Sequence, residues 1–196
     1  PDLVDEARNF DSDLVRAGFR YFFGARVRKQ LEAEIRAQFD AFAQTGLILD
    51  HVNAHNHMQV HPTVFGLILK IGREYGMRAM RVPYEPAPGL ANALFRLWAQ
   101  AAKRRLRRAG VRTNDAFFGL AETGRLDSAR LKAMLARLPD GVSELMCHPA
   151  TGAWSDVDPA AAQYGFKGEL DALVDPAVRR AVSDADIHLT NYRSLT

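Results

Sequence analysis

The sequence predicts an α/β fold, built on an open parallel sheet or on a deformed (β/α) barrel. Several segments carry apolar residues at helical spacing, and short apolar runs typical of buried strands alternate with them. A closed eight-stranded barrel needs roughly 250 residues, whereas this chain has 196. Either the sheet is open or its missing strands lie upstream of Pro1. We expect residues 1–196 to form a single α/β domain that lacks its N-terminal segment.

The longer predicted helices have apolar faces, and two of them also have a local signal at an end. Pro62 suits the first position of a helix, and Gly46 and Gly76 suit positions just past a helix end. The predicted helices cover residues 26–45, 62–75, 90–109 and 126–138, with short helices around 169–174 and 176–183.

The predicted strands are the apolar runs between these helices. Leu47-Ile48-Leu49 is apolar throughout, which fits a strand buried on both faces. The predicted strands are residues 47–49, 77–82, 111–113, 142–147 and, less regular, 187–190.

Charge, cysteine content and apolar run length argue against a nucleic-acid-binding, disulfide-rich or membrane-spanning protein. The net charge of +3, with 26 basic and 23 acidic residues, is no signature of a nucleic-acid partner. Cys147 is the only cysteine, which fits a reducing compartment. No apolar run reaches the length of a membrane span, and no signal peptide opens the chain. We expect a cytoplasmic protein that can work at the inner face of the membrane, and leave self-association into a homo-oligomer open.

Histidines gather where the predicted strands end. Parallel α/β folds place their ligand sites beyond the carboxyl ends of the strands. His51, His55, His57 and His61 follow the first predicted strand, and His148 follows the fourth. Imidazole is a common ligand of divalent metals. Alternating residues of an extended segment share a face, so we expect this cluster to have a metal-binding or catalytic role instead of merely holding a loop.

Other polar residues follow the same strand ends. Asn53 lies among the histidines, Arg81 ends the second predicted strand, and Asp115 follows the third. Arg81 either orients a carboxylate or substrate oxygen, or forms a surface salt bridge of little value. For His148 we favour a general acid or a transition-state stabiliser over a loop cap. We expect Cys147 to be buried and inert, because neighbouring strand residues face opposite ways.

Two further segments, one aromatic and one basic, lie outside the predicted strand ends. The segment Phe19-Arg20-Tyr21-Phe22-Phe23 is expected in the core. Its alternative role is peripheral contact with an anionic membrane surface or a lipid-like substrate. The basic residues at 103–108 are expected to form the solvated end of a helix.

Three segments resemble, in order, the YdjC-like carbohydrate deacetylases, and most closely the hopanoid-biosynthesis-associated HpnK branch. They are residues 49–62, 75–83 and 144–149. The resemblance implies a deformed barrel with one divalent metal ion, most often Mg or Zn. It also implies hydrolysis of the N-acetyl group of an acetylated amino sugar. The HpnK branch implies a lipid-linked substrate, an acetylglucosaminyl hopanoid.

The resemblance also implies roles for individual residues. His55 best matches a metal ligand, with His57 next. His148, near the leaving amine, and Arg81, in support, are the catalytic candidates. The substrate-binding candidates come instead from their positions at the predicted strand ends, and they are His51, Asn53, His61 and Asp115.

The chain departs from the family pattern in ways that affect chemistry. The family's opening Asp-Asp motif and its first ligand histidine are absent, so we expect this polypeptide alone to be inactive. Gln59 stands where relatives often carry histidine, and Asn53 replaces an aspartate common in other branches. The alternatives are another metal-assisted hydrolase, such as a phosphoesterase, or an inactive fragment of the deacetylase.

Overall fold

The computed structural model describes residues 2–195 as an α/β protein with parallel strand pairing, as predicted. The helices are α1 (Leu14–Phe23), α2 (Ala25–Gln44), α3 (Pro62–Glu74), α4 (Leu90–Arg108), α5 (Ser128–Leu135), α6 (Phe166–Val174) and α7 (Pro176–Asp184). The strands are β1 (Ala116–Phe118) and β2 (Ser143–Leu145), and short 3₁₀ segments cover His55–Val60, Pro159–Ala161 and Tyr192–Ser194.

The chain forms two compact units. The first contains the residues up to Val82, Ala99–Thr113 and the residues from Tyr192 onward; the second contains Pro83–Trp98 and Asn114–Asn191. That residues 1–196 form a single domain stays a prediction. None of the helices within residues 2–195 combines the length and the apolar character that a membrane crossing requires.

Two helices of the first unit, α2 and α3, follow the predicted apolar periodicity, whereas α1 was not predicted. The predicted helix at 26–45 is α2, whose buried face is Val27, Leu31, Ile35 and Phe39. The helix predicted to open at Pro62 is α3, and Phe65 and Ile71 on it are fully buried. Burial of such side chains contributes about 1.5–3 kcal/mol each. Gly46 and Gly76, just past the ends of these helices, have positive φ angles of 71° and 74°, which suits glycine.

Three extended segments of the first unit pair in parallel, with residues 79–81 in the middle. The bridges are Val52↔Met80 and Ala79↔Arg112. Val52 N donates to Ala79 O at 3.0 Å, and Met80 N donates to Arg112 O at 2.9 Å. Each predicted strand here is reduced to isolated bridges, but the pairing is parallel and the central segment is buried.

Two strand predictions are wrong. Leu47 and Ile48 are 67% and 65% exposed and lie outside any strand, and pairing begins only at Val52. Residues 187–190 are also irregular. Conversely, β1 was not predicted. A short apolar run carries no periodicity, so the sequence does not fix where pairing begins.

The aromatic run is also mostly outside the core, contrary to expectation. Tyr21 is buried, whereas Phe19, Phe22 and Phe23 on the same helix α1 are exposed. Helical spacing explains the split, since only one face of α1 can pack inward. Asp13 caps α1, because its Oδ1 accepts hydrogen bonds from Val15 N and Arg16 N.

The second unit packs helices against a short parallel sheet. Ala116 pairs with Ser143 and Phe118 with Leu145, so β2 confirms the strand predicted at 142–147. The apolar cluster between the helices contains Leu126, Leu131, Met134, Ala172 and Val178, with Phe118, Leu145 and Cys147 packed against it.

Glycine is required where β1 ends. Gly119 has a φ of 104°, and a Cβ built there would lie 2.3 Å from Met146 O. Any side chain would therefore clash with backbone. This close approach fixes the start of the segment that leads from β2 to His148.

Candidate active site

The structure divides the eight predicted site residues between the two units. His51, Asn53, His55, His57, His61 and Arg81 belong to the first unit, and Asp115 and His148 belong to the second. Each group has its own geometry, set by the strand end or turn that carries it.

His55 and His57 lie in a tight turn, which we call the histidine turn (His55–Val60). Extended backbone ends at Ala54, and Asn56 and His57 adopt left-handed conformations with φ of 51° and 56°. The predicted face shared by His51, Asn53, His55 and His57 is therefore interrupted. A left-handed conformation costs a non-glycine residue roughly 1–2 kcal/mol, less for asparagine, so other contacts must hold this turn.

Gln59 supplies a side-chain contact that holds the histidine turn, beside the backbone hydrogen bond from His57 N to Ala54 O, and it was not predicted as a site residue. Its side chain is fully buried, and its Oε1 accepts a hydrogen bond from Ala54 N at 3.1 Å. Its Nε2 is also buried and has no hydrogen-bond partner among residues 2–195. The only indication of this role in the sequence is that a glutamine lies among the histidines.

His51 and Asn53 lie together beside an open cavity of about 260 Å³, lined also by residues of α2 and α3. His51 Nδ1 is 3.2 Å from Asp50 Oδ2, and His51 Nε2 is 3.5 Å from Asn53 Nδ2. The imidazole stacks on Tyr192 with ring centroids 4.7 Å apart. This arrangement fixes the ring of His51, and its substrate-binding role stays a prediction.

Arg81 is tied to the same segment through the backbone. Its N donates to Val52 O at 3.1 Å, and its side chain is half-buried. The parallel pairing thus sets Arg81 next to Val52, which lies between His51 and Asn53, as expected for neighbouring strand ends.

His61 ends the histidine turn and packs against α1. Its ring meets Tyr21 and Phe22 edge-on, with centroids 6.0 and 6.4 Å apart. Burial lowers the pKa of the His61 imidazole below its usual 6.5, and a hydrogen bond with the Gly18 backbone offsets part of that shift. The fold therefore favours neutral His61, and its predicted role in substrate binding stays a prediction.

The lowered pKa of His61 predicts how stability depends on pH. Below about pH 6.5 the unfolded chain takes up a proton that folded His61 resists, so the free energy of unfolding falls as the pH drops toward the folded-state pKa. Replacing His61 with Gln, which keeps a donor but cannot titrate, should flatten this slope between about pH 6.5 and 5. Urea unfolding across this range measures it, with His188→Gln as the exposed control. Equal slopes in the wild type and His61→Gln would contradict the assignment.

His148 follows β2 and is fixed by a buried carboxylate. Its N donates to Glu169 Oε2 at 2.5 Å, and its ring lies 5.2 Å from that of Tyr164. Its Nδ1 is buried without a hydrogen-bond partner in residues 2–195. Such an unpaired ring nitrogen is costly in a purely structural residue and fits a role in proton transfer.

Glu169 was missed by the sequence analysis. It is 1% exposed, and its second oxygen accepts from Leu126 N at 3.4 Å. Burial raises the pKa of the Cys147 thiol, and the charge of Glu169 raises it further. The raised pKa keeps the Cys147 thiol protonated near neutral pH. The residue is half-buried, not buried as expected, and that it is not a nucleophile stays a prediction.

Asp115 lies at the other end of this sheet from His148. Its N donates to Val142 O at 2.7 Å, and its Oδ2 accepts from Val142 N at 2.9 Å. It therefore precedes β1 instead of following a strand of this sheet, because pairing with β2 begins at Ala116. A substrate-binding role for Asp115 stays a prediction, whereas its contact with Val142 supports the sheet.

The described residues do not form a complete metal site. Within residues 2–195, no three His, Cys, Asp or Glu side chains gather closely enough to hold a metal ion. His55 is exposed and His57 is half-buried on the same turn. These two can supply part of a ligand set at most.

The chain matches one protein-family model, described as YdjC-like protein, over residues 1–184. A carbohydrate deacetylase of Geobacillus stearothermophilus is 29% identical, covering 98% of this chain and 68% of that protein. Human carbohydrate deacetylase is 30% identical, covering 82% and 58%. A chitooligosaccharide deacetylase of Klebsiella pneumoniae is 28% identical, covering 85% and 62%.

A solved structure shares the fold. The crystal structure of a protein from Enterococcus faecalis V583 aligns with a TM-score of 0.67 and 21% identity, covering 98% of this chain and 68% of that one. This chain therefore spans about two thirds of the length of the proteins that it resembles.

Proposed function

We propose, since this chain belongs to the YdjC-like protein family, that its protein is a carbohydrate deacetylase that hydrolyses the N-acetyl group of an amino sugar. The observation that carries the proposal is the family match over residues 1–184. Relatives named carbohydrate deacetylases match over nearly the same span.

Amide hydrolysis needs an attacking water, stabilisation of the oxyanion, and a proton for the leaving amine. His148 is our candidate for the proton donor, because its backbone is fixed by Glu169 and its buried Nδ1 has no partner in residues 2–195. Arg81 would orient a substrate oxygen, and His51 and Asn53 would contact the sugar beside their cavity.

We also propose that the activity requires one divalent metal ion, Mg or Zn. His55 and His57 would supply part of its ligand set, and the ion would polarise the acetyl carbonyl. Because residues 2–195 assemble no complete set, we expect the 196-residue polypeptide alone to release no acetate. Chelation of the full-length protein, followed by restoration with each metal, tests the requirement.

For the substrate, we propose an acetylglucosaminyl lipid of the hopanoid type, as in the HpnK branch. The exposed Phe19, Phe22 and Phe23 of α1 support a lipid-linked substrate. Work at the inner face of the membrane would follow from such a substrate.

The test is acetate release from N-acetylglucosamine oligomers and from an acetylglucosaminyl lipid by the full-length protein. We expect release that falls by about 10²–10⁴-fold in His148→Ala. His188→Ala changes an exposed histidine outside the site and should have no effect. Metal-loaded, folded protein that releases no acetate from either substrate would refute the deacetylase.

Phosphate esters belong in the same assay, since a phosphoesterase is the alternative. A basic cavity of about 650 Å³, lined by Lys70, Arg73, Arg105 and Arg108, could hold a phosphate. This cavity lies toward the C-terminal end of α3, whereas the histidine turn lies at the N-terminal end of the same helix, before Pro62. At 1.5 Å per residue the two ends of α3 are roughly 15–20 Å apart. A phosphate in the cavity would therefore be far from the histidines, and we expect no turnover of phosphate esters.

A further inference from the structure

The second unit contains a row of four aromatic rings, joined by three contacts, that begins at His148. The rings of His148 and Tyr164 are 5.2 Å apart, those of Tyr164 and Phe166 are 5.8 Å apart, and those of Phe166 and Trp154 are 5.2 Å apart. Phe166 is buried, whereas Trp154 is 54% exposed. The row therefore leads from the candidate proton donor to an open indole.

The inner part of this row is held rigidly. Phe166 opens α6, and its carbonyl accepts a hydrogen bond from Ala150 N at 3.2 Å. Gly124 lies so close to Tyr164 that a Cβ there would be 2.4 Å from the ring, and Gly165 N donates to Gly124 O at 2.8 Å. Trp154 thus rests on a fixed base, unlike a single apolar side chain on a surface, which by itself needs no explanation.

The chemistry of an exposed indole beside this base selects its ligand. A pyranose ring presents C–H groups on its faces and hydroxyls around its rim, so an aromatic face can cover the apolar part while water solvates the rest. Deacetylation also turns the amide into an amine that is cationic near neutral pH, and the face of an indole attracts cations. A flat apolar surface with a polar edge therefore fits an amino sugar.

We propose that Trp154, supported by Phe166, is a subsite that stacks on a pyranose ring of the substrate. The inference rests on the proposed function, because a saccharide substrate bound for reaction at His148 would bring a pyranose ring to the neighbouring Trp154. It assigns Trp154 to binding and not to the reacting atoms.

Binding of N-acetylglucosamine oligomers tests the subsite without any turnover. We expect the affinity, measured by calorimetry, to fall about five- to tenfold in Trp154→Ala and less in Trp154→Phe. Leu189→Ala removes an exposed apolar side chain elsewhere in the same unit and should bind as the wild type. The oligomers should also change tryptophan fluorescence in the wild type, and Trp154→Phe, which lacks this indole, should lose that change.

Kinetics provide the second measurement. In Trp154→Ala, KM for acetate release should rise about five- to tenfold while kcat stays within about twofold, since the indole holds the sugar but not the scissile bond. If Trp154→Ala has the same affinity and the same KM as Leu189→Ala, the subsite proposal is wrong, whereas the proposed deacetylase function is unaffected. Saccharide binding that depends on Trp154, without acetate release, would support the subsite and refute the deacetylase.

Discussion

Replacing Glu169 with alanine is expected to lower the free energy of unfolding by about 2–4 kcal/mol. The carboxylate is buried and accepts hydrogen bonds from His148 N and Leu126 N. Truncation leaves both N–H groups without their acceptor and opens a small cavity beside the apolar cluster that contains Leu126 and Ala172. Chemical denaturation of the full-length protein measures the loss.

Two variants separate the role of this carboxylate from a general effect on α6. Asp171 lies on the same helix, exposed, and pairs with Lys167 at 2.6 Å. Asp171→Ala should therefore cost less than about 0.5 kcal/mol. Glu169→Gln keeps one acceptor oxygen but turns an amide N–H₂ toward the second donor, so its stability should fall between those of the wild type and Glu169→Ala. Equal stability of Glu169→Ala and Asp171→Ala would contradict this role.

The same carboxylate should also position His148 for catalysis. If Glu169 sets where the imidazole stands, kcat per folded molecule falls in Glu169→Gln while KM changes little. Activity that follows only the folded fraction would show that Glu169 serves stability alone.

Apart from α1, the α-helices could be predicted, and the longer ones were found because their apolar residues repeat over several turns. Val27, Leu31, Ile35 and Phe39 recur at spacings of four, and all four are buried on α2. The aromatic run on α1 failed as a core prediction because five residues cover a full turn of a helix. Only Tyr21 faces inward, and composition alone could not show this.

Strands were less predictable, because pairing is decided by distant parts of the chain. The run Leu47-Ile48-Leu49 is more apolar than the segment around Val52, yet Val52 is the residue that pairs with Met80. Hydrogen bonds with Ala79 and Arg81 fix that register, and nothing local to residues 47–49 reveals it.

The candidate site was predictable in its residue types but not in its supports. The histidines could be found by their density between Asp50 and Pro62. Glu169 acts on residues 21 and 43 positions away, which no local pattern announces. Gln59 acts over only five residues, but its burial follows from a left-handed turn that the alternation of an extended strand did not predict.

Replacing Gln59 with methionine is expected to lower activity per folded molecule by about 10–100-fold, while stability changes by less than about 1 kcal/mol. The two polar atoms of the side chain explain the small change. Methionine removes the acceptor of Ala54 N, which is destabilising, but also removes a buried Nε2 that has no partner among residues 2–195. Methionine has similar length and leaves no large cavity.

The function of the turn should suffer because the hydrogen bond from Ala54 N to Gln59 supports the backbone bonds that hold its geometry. Asn56 and His57 are left-handed, and without the link from Gln59 to Ala54 the segment can relax toward ordinary conformations and displace His55 and His57. Hydrogen exchange at the Ala54 amide should then accelerate selectively. Gln100→Met, at an exposed position of α4, is the matched control. Unchanged activity, or activity lost only in proportion to unfolding, would mean that the histidine turn keeps its geometry without Gln59.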